Sequence, residues 1–407
     1  MRKRCAPRVA IVVALYAVAS AQTPSPSQSA PGVSPPPAAS PSPSPAATPN
    51  ALASPTLTPP PILVTPATAL VPVGSSLDLT VGSAISPLSA TIGDPNVANV
   101  AVDQAAQRVT VIGKAPGVTV VTITDARGLH RDVPVRVAYY AGTIPDHLSL
   151  SLTGDPASAE FVREQVAQAI RAAAQLRPGG QIVVSSDDVP VRRALAQDDV
   201  ASFDVPALIQ GNNLIEVDRS AHVDVQNVAV PRISPDSLMV SDYPERLVED
   251  GTLFTADLRS EQPSRFLYFH YNPRGQPDRR IVLRADNPSR EPSIVQFISG
   301  RGGPSSNEME VGHTATKRFL INVVQNQGRL LTLPAGSTTT VVTQELPAGT
   351  IACNLLQLRV LSGASVHLTL VAQNADEKPD AVVAGSELLE GSHPHARGIY
   401  PIAEFHF

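Results

Sequence analysis

Between Leu77 and Val137 the apolar residues recur at strand spacing. Leu77, Leu79 and Val81 share one face, Val109 and Val111 follow, and then come Val118, Val120 and Ile123 and the run Val133, Val135 and Val137. Each run is cut by a turn. Gly113-Lys114-Ala115-Pro116-Gly117 joins two β-branched runs as a hairpin, and Asp125-Ala126-Arg127-Gly128 makes the next. A period near two argues against a helix and buries one face of each strand. About six or seven such strands in residues 63–138 imply a small immunoglobulin-like β-sandwich.

The chain ahead of that sandwich lacks the means to fold. No charged side chain occurs from Val9 to Leu77, and residues 22–61 hold 14 prolines among Ser, Ala and Thr. Proline stiffens such a segment toward an extended left-handed helix, and its apolar mass is too small for a core. Residues 22–62 are expected to be a disordered linker with a reach of at most about 120 Å. Met1 to Ala21 carries the three parts of a secretory signal peptide: the basic Arg2, Lys3, Arg4 and Arg8, the apolar Val9 to Val18, and the small-residue end Ala19-Ser20-Ala21. The apolar part is too short to cross a bilayer, so cleavage is favoured over a retained anchor and no transmembrane span is expected in the mature chain. After cleavage Cys353 is the remaining cysteine, which excludes an intramolecular disulfide, and its apolar setting reads as a buried, inert thiol. Loss of the four basic residues takes the formal net charge from −5 to −9, which argues against a nucleic-acid partner.

Residues 139–234 change pattern. Asp155-Pro156 is expected to open a helix, Phe161, Val162, Val166, Ala169, Ile170 and Ala173 lie at helical spacing, and Pro178-Gly179-Gly180 ends it. Segments 182–184, 214–217 and 223–230 read as strands, which gives a small α/β module. Residues 235–407 are β-rich and gather the aromatics, with strands expected at 252–258, 265–271, 279–285, 293–299, 316–324, 329–333, 339–346, 352–361 and 365–372. Leu-Pro-Ala-Gly at 333–336 and 346–349 forms two equivalent strand-ending turns. That strand count suggests a jelly-roll-like β-sandwich, and Tyr400 to Phe407 alternates like one strand more. The fold class is therefore mainly β, with a small α/β module between two sandwiches.

Gly93-Asp94-Pro95, Val97-Ala98 and Val100, then Val109, Val111, Gly113-Lys114-Ala115-Pro116-Gly117 and Thr119, and Asp125 with Gly128, resemble the N-terminal domain of pilus-formation proteins, found in secretins of the tight-adherence type. The same run is similar to bacterial immunoglobulin-like domains of surface adhesins. The resemblance implies an assembly or docking module without catalytic residues, with Gly93, Asp94, Pro95, Gly113, Lys114 and Gly117 as its motif. No series of amphipathic strands suited to a secretin pore follows, which argues against a channel.

Five stretches carry side chains or backbone suited to chemistry. His393-Pro394-His395, with Glu390 near and His406 beyond, offers metal ligands, but at a spacing that fits no common zinc pattern, so no metal and no cofactor are expected. In the strand Phe266-Leu267-Tyr268-Phe269-His270-Tyr271, the face of Phe266, Tyr268 and His270 is a candidate platform for a sugar ring; the bland alternative is a strand buried on both faces. Ser299 to Ser306 is glycine-rich yet lacks the lysine-hydroxyl ending of a phosphate loop, and reads as a mobile loop between strands. Asp187-Asp188 and Glu249-Asp250 are adjacent on strand-like stretches, point to opposite faces and make no dyad. The leading expectation is an exported, non-enzymatic structural or docking protein of the bacterial envelope, at the periplasm or cell surface, with envelope or pilus proteins as partners. A polysaccharide-binding surface module is the alternative and a secreted hydrolase the second.

Overall fold

The computed structural model describes residues 59–260, 262–377 and 387–401. The signal segment, all but the end of the linker, and 402–407 with His406 lie outside the described residues. The first sandwich uses eight strands: β1 (Leu63–Thr65), β2 (Ala69–Pro72), β3 (Ser76–Gly82), β4 (Ser89–Ile92), β5 (Ala98–Asp103), β6 (Arg108–Gly113), β7 (Gly117–Thr124) and β8 (His130–Ala138). They form two four-stranded sheets, β1-β3-β6-β5 and β2-β8-β7-β4. The alternating residues that define the pattern, Leu79, Val81, Val109, Val111, Val121, Ile123, Val133 and Val135, are buried between them. Val118 and Val120 take the outer face, because β7 presents Thr119, Val121 and Ile123 to the core.

The chain then forms β9 (Gly142–Thr143), β10 (His147–Thr153), α1 (Ala159–Ala173), β11 (Gln175–Leu176), β12 (Gly180–Val183), β13 (Val200–Gly211) and β14 (Val217–Asn227). The helix starts three residues later than the sequence suggests. Ser158, not Asp155, is its cap, its hydroxyl accepting the Phe161 amide. Phe161, Val162, Val166 and Ile170 bury the face of α1 that packs on the sheet, against Leu150, Leu152, Val205, Val223 and Val225.

The last part comprises β15 (Ser237–Ser241), β16 (Gly251–Leu258), β17 (Ser264–Asn272), β18 (Arg279–Asn287), β19 (Ser293–Ser305), α2 (Glu308–Val324), β20 (Gly328–Leu333), β21 (Ser337–Leu346), β22 (Thr350–Ser362), β23 (Val366–Asn374) and β24 (Arg397–Pro401). One layer is the antiparallel sheet β16-β23-β18-β21. The other is not separate from the preceding module: a single ten-stranded sheet runs β12-β13-β14-β10-β20-β19-β22-β17-β15-β24. The join is β10 on β20, with Ser151 opposite Leu330 and Thr153 opposite Gly328. The division expected at 234/235 is thus a seam inside one sheet.

Two expectations about residues 299–324 are corrected together. Ser299 to Ser305 is the second half of β19, not a mobile loop, and 316–324 is helical, not a strand. Asn307 caps α2 by accepting the Glu310 amide, and Val311, Ala315 and Phe319 at four-residue spacing form its buried stripe. The glycines are where the two meet. A methyl on Gly300 would strike the backbone of Phe319 and Ala315, and one on Gly302 the carbonyl of Val311. The β-branched tail of the helix pointed to a strand, and close glycine packing overrode it.

The two Leu-Pro-Ala-Gly turns each end a strand, β20 of the long sheet and β21 of the four-stranded sheet, and each is gripped by a buried asparagine. Asn272 Nδ2 donates to Leu346 O (2.9 Å) and Pro277 O (2.9 Å), while Asn287 Nδ2 donates to Leu333 O (3.0 Å) and Glu291 O (2.8 Å). Both asparagines precede a proline, so the motif is doubled on the strand side as well.

Because α2 rests on bare backbone at β19, Gly302→Val should lower stability by at least about 2 kcal/mol through forced separation of helix and sheet. Gly312→Ala, where an added methyl meets no atom within 4 Å, should be neutral or slightly stabilising. Denaturant midpoints of the two variants check this pair.

Candidate functional site

The six docking-motif residues converge at one end of the first sandwich. The loop between β4 and β5 lies against the β6–β7 connection, which is not the hairpin expected from sequence: β6 belongs to one sheet and β7 to the other, so Gly113 to Gly117 crosses between the two layers. Gly93 N donates to Val120 O (2.9 Å) and Asp94 N to Thr119 Oγ1 (2.8 Å), while Asp94 Oδ1 accepts from Asn96 N (2.9 Å). From this connection, Lys114 Nζ donates to Pro95 O (2.9 Å), and the amides of Lys114 and Ala115 donate to Val97 O (2.9 and 3.2 Å). A methyl on Gly117 would come within 2.7 Å of a Val97 methyl, and one on Gly113 within 2.8 Å of Pro72 O. The motif is therefore consumed internally, as the clasp that fixes the β4–β5 loop to the crossing between the two sheets.

What the sandwich offers to a partner lies elsewhere. On the outer face of β2-β8-β7, Leu70 and Val118 flank Arg136, and Val120 stands opposite Pro134. Val118 is 76% exposed, and Leu70 and Val120 are exposed as well. Sequence periodicity held the signal for this face, since Val118 and Val120 are out of phase with Thr119, Val121 and Ile123.

The aromatic platform is corrected by burial. Phe266, Tyr268 and His270 face inward between the two layers and have no accessible surface. Phe266 stacks on Phe254, with ring centroids 5.0 Å apart. The Tyr268 hydroxyl donates to Gln344 Oε1 (2.7 Å) and lies 3.3 Å from Asn354 Nδ2, and burial raises its pKa, opposed by the Asn354 hydrogen bond. A sugar cannot reach these rings. The opposite side chains, Leu267, Phe269 and Tyr271, pack with Val311, Ala315, Ile351 and Cys353 beneath α2, so the strand is covered on both sides. Cys353 is buried there and its thiol is pushed up to about 12, mainly by burial, which keeps it protonated and inert.

Beside α2, Val240, Leu267 and Phe269 floor a cavity of about 390 Å³, with Asp242, Glu245, Glu308, His395 and Ala396 around it. His395 bridges two carboxylates, with Nδ1 3.2 Å from Asp242 Oδ2 and Nε2 3.0 Å from Glu245 Oε2. Burial raises the Asp242 carboxyl above its usual range, opposed by His395 and reinforced by Glu245 and Glu308. The histidine stretch is not gathered into one ligand set: His393 is exposed, and Glu390 is held by Arg397 at 2.6 Å. Asp242, Glu245 and Glu308 escaped sequence reasoning because they meet only when α2 lies down on the sheet.

His270 supplies a pH test of the buried strand. Its Nδ1 lies 2.9 Å from Pro244 O and its Nε2 3.2 Å from Ser241 Oγ, so the ring sits neutral as the Nδ1–H tautomer, and burial lowers its pKa to about 4. A depressed histidine contributes stability that is complete above its unfolded pKa near 6.5 and is lost as pH falls toward the folded value. Between pH 7 and pH 4 the protein should lose about 3 kcal/mol from this group, and in His270→Gln that part of the pH dependence should vanish. Denaturant titrations across that range, with the His270 ring followed by NMR, check it.

A family model matches the first sandwich. No curated protein matches the chain. Among solved structures, domains 4 and 5 of the S-layer protein SbsC are 25% identical over 19% of this chain and 50% of that one, with a TM-score of 0.17. SbsC domains 5–6 are 16% identical over 41% of this chain and 97% of that one, also at 0.17. The fibronectin(III)-like modules of Clostridium thermocellum CbhA are 11% identical over 41% and 94%, at 0.21. The chain thus spans half the length of the first of these, and superpositions this partial say nothing of what it does. Residues 66–138, the sandwich with its clasp, match the family model described as the pilus formation protein N terminal region.

Proposed function

We propose that the chain is an exported, non-enzymatic structural or docking protein of the bacterial envelope, and that its first sandwich engages components of a pilus or surface assembly. The observation that carries this reading is the family match over residues 66–138 on a sandwich in which every motif residue serves the fold. Such a clasp holds the module's shape while its outer face is free to suit a partner. The outer row Leu70, Val118 and Val120, divided by the Arg136 guanidinium, is the apolar surface that this module presents. The secretory signal and the charge-free proline-rich linker support export and reach, since an extended spacer carries a module away from its point of exit.

The test is to fractionate cells, shave the surface with protease and crosslink the tagged chain in place. Recovery of pilus or envelope components is expected. Val118→Glu should remove those crosslinks without unfolding the sandwich, because the side chain points to water. A freely soluble chain with no crosslinked partner would sink the reading.

A further inference from the structure

The outward face of the α/β half of the long sheet carries a cluster that the docking reading does not use. α1 covers the other face, so the even-numbered residues of β14 and β13 and the odd-numbered residues of β10 point away from it. His147 on β10 and His222 on β14 are direct cross-strand partners, their rings stacked with centroids 5.6 Å apart. Asp224, two residues further along β14, stands beside both. His147 Nε2 lies 2.7 Å from Asp224 Oδ2, and His222 Nε2 lies 3.4 Å from Asp224 Oδ1. One donor atom from each of the three can be chosen so that all lie within 4.8 Å of one another.

We propose that His147, His222 and Asp224 form a binding site for a divalent transition-metal ion of the zinc, copper or nickel class. The surroundings are those of a ligand set and not of three residues met by chance. His222 Nδ1 is 2.8 Å from Asp204 Oδ1, so its N–H is donated to a carboxylate and the Nε2 lone pair is left facing Asp224 and His147. Ser202 Oγ donates to Asp224 Oδ1 at 2.5 Å and fixes the carboxylate's plane. Both supporting residues come from β13, whose register sets Asp204 opposite His222 and Ser202 opposite Asp224. Two imidazoles select this class of ion over magnesium or calcium, which prefer all-oxygen sites. Three protein ligands on an open sheet face leave a further position for water or for a group from a facing molecule.

Zinc chloride titrated calorimetrically into the full chain at neutral pH should give one ion per chain, with the ring nitrogens of His147 and His222 shifting together in NMR spectra. Affinity should fall by at least about tenfold in His222→Ala and in Asp224→Asn, and by about 10- to 100-fold in Asp204→Asn, which leaves all three ligands in place. His395→Ala should bind as the wild type does. The side chains are partly exposed, and circular dichroism confirms that each variant is folded. Absence of heat with micromolar zinc or copper overturns the site, as does binding that survives His222→Ala but is lost in His395→Ala.

Discussion

The body of this protein depends on the pairing of β10 with β20. β10 belongs by sequence to the α/β module and β20 to the C-terminal sandwich, yet their hydrogen bonds make the sheets one. A sheet cannot end inside a core without leaving backbone groups unpaired, so joining the two removes an edge from each. The junction is polar. Thr153 Oγ1 donates to Asn326 O (2.7 Å), Gln296 Nε2 donates to Thr153 Oγ1 (2.9 Å), and Asn326 Nδ2 donates to Val230 O (2.7 Å). The cap of α1 enters the same knot through Ser158 Oγ, which donates to Gln327 Oε1 (2.9 Å). Thr153, Asn326 and Gln327 are buried, so each hydrogen bond lost there would expose its partner to an apolar surrounding.

This arrangement assigns tasks to the parts. The long sheet is a scaffold with α1 and α2 laid on it and a second sheet closing the sandwich. The faces left open are chemically distinct. The first sandwich shows an apolar row, the α/β half shows histidines and carboxylates, and the C-terminal half has an acidic cavity over Leu267 and Phe269. A docking protein can use such surfaces without a catalytic centre.

Much of the fold was legible because it rests on local pattern. The runs around Leu79, Val111 and Val135 could pack only as a sandwich, and eight of the nine strands expected after Pro235 are present within a few residues. The features that were missed are long-range. Lys317 to Val324 looks strand-like until Asn307 and Glu310 are read as a cap, and only contact with Gly300 and Gly302 settles the helix. The alternation in Phe266 to Tyr271 identified two faces but not what covers them. The cluster of His147, His222 and Asp224 joins residues more than 70 positions apart, through a parallel pairing that no local signal encodes.

The described residues between 139 and 401 are expected to form one cooperative body across the β10–β20 seam. Hydrogen exchange read by mass spectrometry in wild type and Asn326→Ala tests it most directly. Amides of β10 and β22 should open with the same free energy in the wild type. In the variant both should lose protection together, by about 1–3 kcal/mol. Loss of protection confined to the α1 half, with β22 unchanged, would contradict it.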